Sequence, residues 1–149
     1  MGRRVTPQLL GALAGAAFVV VGALGFVPAV THHHGQLHVW RSSGAELFGV
    51  FRVSVLHNAI YIAFGVLGLI ASATAVGARL YLIWGGIGFL AFWVYGAALD
   101  ESSSSNVVSV DNADNWLHLG LALLLFALAW IASSVDRHEP AEPPPASWP

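Results

Sequence analysis

The sequence predicts an all-α integral membrane protein, a four-helix bundle with both termini on the cytoplasmic side. Three observations lead there. Hydrophobic residues fill 56% of the 149 positions and charged residues only 9%, against roughly 25% charged in an ordinary globular chain. Four stretches are each about as long as the ~20 apolar residues that cross a hydrocarbon core. The arginines, the only strong bases in a chain without lysine, stand in or beside the loops between those stretches. So few charges cannot cover a water-facing surface, and the loops are too short to wrap buried helices in a polar shell.

The first span runs over about residues 8–30. Arg3 and Arg4 precede it as in a signal peptide, but the apolar run exceeds the usual 7–15 residues of a cleaved leader, so it reads as a retained anchor. Met1-Gly2 with Thr6 also fits the myristoylation pattern, yet four spans leave an acyl chain with nothing to add. The second span covers about 53–74, with an amphipathic lead-in from Glu46. The third covers about 78–99, and the short connection at 75–77 forces an antiparallel hairpin. The fourth covers about 115–134. Residues 1–136 thus form one transmembrane domain. The segment 137–149, with five prolines after His138, cannot continue a helix and is expected to be a disordered or polyproline-like cytoplasmic tail.

Orientation follows from arginine placement. Arg3 and Arg4, Arg79 and Arg137 fall on one side, which is then cytoplasmic. The opposite side carries Arg41 and Arg52 but also Glu46, Asp100, Glu101, Asp111 and Asp114. Trp40, Trp93, Tyr95 and Trp116 fall near this outer boundary, where aromatic rings settle. In lipid, helices associate by close approach of small residues. Gly11, Gly15, Gly22 and Gly25 in the first span, Gly65 and Gly68 in the second, and Gly85, Gly86, Gly88 and Gly96 in the third therefore read as packing surface. That surface serves contacts inside the bundle, self-association or other membrane subunits.

Several functions are excluded early. The net charge of −2 opposes nucleic-acid binding, which needs clustered bases to neutralise phosphates. Without cysteine there is no disulfide, thiolate metal site or thiol nucleophile. Neither a GxSxG nor an HExxH motif is present.

The informative polar residues form a layer at the outer boundary. At 3.6 residues per turn, Ser54, His57, Asn58, Tyr61, Gly65 and Gly68 share one stripe of the second span, and Asp111, Asp114, Asn115, His118 and Ala122 share one of the fourth. Imidazole and carboxamide groups facing lipid are costly, so these groups should face inward and pair. One reading is a polar staple between the two helices, with Asp114 or Asn115 capping the fourth. The other is a site for a metal, haem, quinone head group or proton, histidine being both a common ligand and a group that titrates near neutrality. The inner halves of the spans offer almost no polar residues, which counts against a path across the whole bilayer. His32, His33, His34 and His38 form a second histidine group. Four imidazoles in seven residues can hold Zn²⁺, Cu²⁺ or Ni²⁺, though nothing in the sequence fixes a geometry, and a solvated loop with incidental affinity explains them as well.

Leu47-Phe48-Gly49-Val50-Phe51, His57-Asn58 followed by Gly65 and Gly68, and Asn112-Ala113-Asp114-Asn115 leading to Leu117-His118 together resemble a bacterial membrane family known as domain of unknown function 4383. The resemblance spans most of the chain and implies a multi-pass protein of the bacterial plasma membrane, with no reaction assigned. Members usually carry Asn where this chain has Ser54 and a second His where it has Tyr61, which weakens a metal role for the second span. Two functions follow. The first is a non-enzymatic membrane protein, an accessory or scaffolding subunit of a larger assembly, with no cofactor. The alternative is a redox or ligand-binding protein that uses His57 and His118 for haem, metal or quinone.

Overall fold

The protein is described by a computed structural model covering residues 6–39, 43–99 and 111–135. Arg3, Arg4, Trp40, Arg41, Asp100, Glu101, Arg137 and the tail 137–149 lie outside the described residues, and so do the expectations that rest on them.

Helix α1 runs Pro7–Leu24, capped by Thr6, whose hydroxyl accepts from the Leu9 N–H at 3.2 Å, with Pro7 at the first helical position. It ends six residues before the expected 30. Pro28 has no N–H to continue a helix and disfavours helical geometry at Val27. The chain therefore winds down through tighter turns, Phe26 N–H to Ala23 and Val27 N–H to Leu24. Thr31 Oγ1 also donates to the Leu24 carbonyl at 3.1 Å, so that this oxygen accepts twice at the helix end.

A small antiparallel sheet follows, absent from the sequence expectation: β1 (Thr31–His32), β2 (Ala45–Leu47) and β3 (Phe51–Val53), in the order β1-β2-β3. The amphipathic helical lead-in expected from Glu46 is thus a β-hairpin. Phe48 and Gly49 take left-handed backbone (φ 55° and 69°), which reverses the chain and brings Leu47 opposite Phe51. A helix has no place for two such residues in succession. Ala45, Leu47 and Val53 point inward and pack with Val21 and Leu24, so the sheet lies over one end of the helices.

Helix α2 (Val55–Ala71) starts directly after the hairpin, where Ser54 Oγ accepts from the His57 N–H at 3.1 Å. Helix α3 (Ala75–Ala98) begins after a turn at 72–74, not 75–77, because Thr74 caps it by accepting from the Gly77 N–H. Helix α4 (Asn112–Val135) starts three residues before the expected 115.

The chain is mostly α-helical. α1, α3 and α4 are long and apolar enough to cross a membrane, and α2 is apolar but has 17 residues. At 1.5 Å per residue α2 reaches about 26 Å, a little under a ~30 Å hydrocarbon core. Outward faces are apolar, with Leu13, Leu67, Ile70, Trp84, Leu123 and Trp130 all exposed. A soluble protein does not leave this much large apolar surface in water, so the chain is a membrane protein.

Packing is by hairpins: α1 lies along α2 and α3 along α4, and the two pairs meet less extensively. The α1–α2 contact is backbone on backbone. A Cβ at Gly15 would stand 2.7 Å from the Gly65 carbonyl oxygen, and one at Gly65 would stand 2.5 Å from that of Gly15. Between the pairs, Phe18 of α1 stacks on Phe89 of α3 (centroids 5.0 Å, 15°), and Phe64 of α2 meets Phe89 edge-on at 5.4 Å. At the end away from the sheet, Arg79 Nε donates to the Ala132 carbonyl at 3.2 Å and ties α3 to α4.

Candidate functional site

The residues that bury α4 are Asp114, His118, Ala122, Leu125, Ala129 and Ala132, a stripe at helical spacing. On α2 they are His57, Asn58, Tyr61, Gly65 and Gly68. The sheet ends of both stripes carry polar groups, and the fold sets them face to face. His57 and His118 have ring centroids 5.9 Å apart, and His57 lies 4.8 Å from Tyr61. Phe89 and Phe92 of α3 flank His118 at 5.8 and 5.5 Å. His57, Asn58, Asp114 and His118 are each at most 5% exposed.

Two local devices place these groups. The first is the start of α4, where Asp111 Oδ1 accepts from the Asp114 N–H at 2.9 Å and the Asp111 N–H donates back to Asp114 Oδ2 at 3.3 Å. This is the reciprocal logic of a capping box. Asp111 is therefore the cap, not Asp114 or Asn115, and Asp114 is turned into the interior. The second device is β3, the edge strand of the sheet, whose main-chain groups are not all consumed by the ladder. The Arg52 main chain hydrogen-bonds both the His57 ring and the Asp114 carboxylate, its carbonyl accepting from the former and its N–H donating to the latter. The hairpin thus links α2 to α4.

The staple does not use up the donors and acceptors. His57 Nδ1, Asn58 Nδ2, Tyr61 OH, Asp114 Oδ1, Asn115 Oδ1 and His118 Nδ1 are buried and have no hydrogen-bond partner among the described residues. Each such group costs roughly 1–3 kcal/mol when left unpaired. Asn58 is also pressed against α1, where a Cβ on Gly25 would run into its carboxamide.

Two cavities adjoin the cluster. One of about 250 Å³ lies between α1, the hairpin, α2 and α4, with His57, Asn58, Tyr61 and Asp114 in its lining. The other, about 70 Å³, lies between α2, α3 and α4 beside His57, Tyr61, Phe89, Phe92 and His118. The smaller space has no room for a porphyrin, since pockets for even drug-sized ligands run to ~300 Å³ or more. Among the described residues no three His, Asp or Glu side chains gather as a metal-holding group, and His32, His33, His34 and His38 go separate ways. His32 lies in β1, His33 takes left-handed backbone, His34 Nε2 pairs with the Phe26 carbonyl at 3.2 Å, and the His38 carbonyl accepts from the Val55 N–H.

The Arg52 main chain, the Phe89–Phe92 wall and the larger cavity were not read from the sequence. Gly49 inside an apolar run was the available signal for the hairpin.

These features define a membrane protein with an occluded polar cluster at one end of its helices. The family model Domain of unknown function (DUF4383) matches residues 8–131, and the chain belongs to that family. No curated protein and no solved structure matches it.

Proposed function

We propose that this chain is a four-span, non-enzymatic protein of the bacterial plasma membrane that binds a small molecule at the His57/Asn58/Tyr61/Asp114/His118 cluster, with both termini in the cytoplasm. One observation carries the reading: these five buried side chains each keep a polar atom without a partner among the described residues, and all five border a cavity. A purely structural staple gains nothing from unpaired groups, whereas a binding site uses them for its ligand. Native mass spectrometry of protein extracted from membranes in mild detergent tests this. A non-protein mass retained by the wild type and lost from folded His118→Leu supports the reading. Identical bare masses for both would overturn it.

The accessory-subunit reading has its own support in Gly88 and Gly120. Both face outward, and a Cβ on either would meet nothing within 4 Å, so another helix could approach closely there. Co-purification of a stoichiometric second membrane protein, lost on Gly120→Leu, supports it. For topology, reporters at the C-terminus and at Ala73 should signal cytoplasm and those at His38 the outside, and the reverse pattern would overturn the orientation.

A further inference from the structure

The larger cavity has a shape and a polarity that specify what it accepts. Its α4 wall runs from Asp114 to Leu128, about 21 Å at 1.5 Å per residue, so it is a slot along the helices. The lower lining is Ala14, Phe18, Leu121, Leu125 and Leu128, which offers nothing to a polar group. All four polar lining residues, His57, Asn58, Tyr61 and Asp114, sit at the sheet end. Asn58 (2% exposed) and Asp114 (1%) are fully buried there, and both present a polar atom with no partner among the described residues.

The slot opens sideways. Ala17 on α1 and Leu124 on α4 line it and are exposed on the outer surface of the helices, at a seam between the two helical hairpins. That surface faces acyl chains in a membrane, so entry is from the bilayer and not from water. Phe48 and Phe51 of the hairpin cover the polar end.

Charge narrows the occupant further. Among the described residues no Lys or Arg lines the slot, so an anionic phosphate head would meet the Asp114 carboxyl without a counter-charge from that lining, a costly burial. A neutral head suits the groups present. Its carbonyl oxygen can accept from Asn58 Nδ2 or the Tyr61 hydroxyl, and its hydroxyl can donate to Asp114 Oδ1.

We propose that the α1–α4 slot binds a neutral amphiphile of the quinone or quinol type, its ring head among Asn58, Tyr61 and Asp114 and its chain laid toward Leu128, admitted laterally past Ala17 and Leu124. This rests on the ligand-binding reading above and names the ligand class for the same site. The slot explains why polar groups lie at one end only and why the mouth faces lipid.

The test uses the full chain in lipid nanodiscs and three competing probes: an isoprenoid naphthoquinone, dioleoylglycerol and dioleoyl phosphatidylglycerol. Bound probe is counted by native mass spectrometry for the wild type, Asn58→Leu, Ala17→Trp and the outward-facing control Leu13→Trp. Expected is one naphthoquinone per chain in the wild type and the control, and a loss of at least tenfold in both Asn58→Leu and Ala17→Trp. Ala17→Trp changes only the mouth, so it decides the matter even if Asn58→Leu does not fold. Preference for dioleoylglycerol would keep the neutral head but overturn the quinone assignment. Preference for phosphatidylglycerol, or full binding by Ala17→Trp, would overturn the proposal. A different mass retained by the wild type and lost from His118→Leu would sink the quinone and leave the ligand site standing, whereas no mass dependent on the cluster would sink both.

Discussion

His57 and His118, sixty-one positions apart in the chain, stand with ring centroids 5.9 Å apart across the α2–α4 contact. Each keeps Nδ1 without a partner among the described residues. The two rings therefore share one small cavity, and what stabilises one depends on the other. His57→Leu should lower stability in detergent by roughly 1–3 kcal/mol, because it leaves the Arg52 carbonyl without its ring donor. His118→Leu removes a ring whose Nδ1 is unpaired among the described residues and should cost less. The double variant should cost less than the sum by at least ~0.5 kcal/mol, as expected for residues in contact. Strict additivity would show that the rings do not interact.

The α1–α2 crossing makes a sharper prediction. A Cβ at Gly15 or Gly65 would be driven into the opposing backbone, at 2.7 and 2.5 Å from a carbonyl oxygen, and backbone cannot swing aside as a side chain can. Gly15→Ala and Gly65→Ala should both separate the helices and lower thermal stability by more than 2 kcal/mol, in the range seen for overpacked cores. Gly88→Ala should be silent, since nothing lies within 4 Å of that position. Equal tolerance of all three would mean that the helices do not approach here as described.

Gly25 connects packing to the site. A Cβ there would overlap the Asn58 carboxamide, which is buried and held between α1 and α2. Gly25→Ala should therefore move the amide while leaving the helices in place. The expected result is a protein with near-wild-type helicity by circular dichroism that has lost at least tenfold in ligand retention. Retention unchanged would show that the position of the Asn58 amide is immaterial to binding.

Much of this layout was legible because helical periodicity and burial share one cause. Asp114, His118 and Ala122 are four apart, so any helix through them puts them on one face, and a polar face in lipid must turn inward. The Asn58 and Tyr61 stripe follows in the same way. The hairpin escaped because its strands are two or three residues long, too short for alternation to register, and because Leu47 to Phe51 is apolar enough to pass for the start of a span. The slot escaped for a different reason: it is made by what α1 and α4 fail to fill, and no single stretch of sequence records the space between two others. The Arg52 link is main-chain chemistry, which side-chain identity does not announce.

The start of α4 offers a stability test that spares the interior. Asp111 Oδ1 holds the Asp114 N–H at 2.9 Å, and loss of such a cap costs about 0.5–2 kcal/mol. Asp111→Ala should fall in that range. Asp111→Asn should recover most of it, because asparagine caps about as well. If Asp111→Ala were neutral while Asp114→Ala was severe, the helix start would be held by Asp114 alone and the reciprocal pair would carry no weight.

The hairpin turn gives the last prediction, and it reaches the site from outside. Gly49 sits at φ 69°, a conformation that costs an L-residue with a side chain roughly 1–2 kcal/mol, most of all a β-branched one. The turn sets the register of Leu47 opposite Phe51 and Glu46 opposite Arg52. Arg52 in turn holds His57 and Asp114 through its main chain. Gly49→Val should thus strain the turn, shift β3 and loosen the link between α2 and α4, although Gly49 lines neither cavity. The readout is amide hydrogen exchange. Protection should fall at 51–58 and 112–118 together, while the α1–α2 crossing around Gly15 and Gly65 stays protected. Gly49→Asn should be milder, since asparagine tolerates left-handed backbone. Exchange that rises in the hairpin alone, with 112–118 unchanged, would show that the strand does not hold the two helices together and that the cluster assembles from α2 and α4 by themselves.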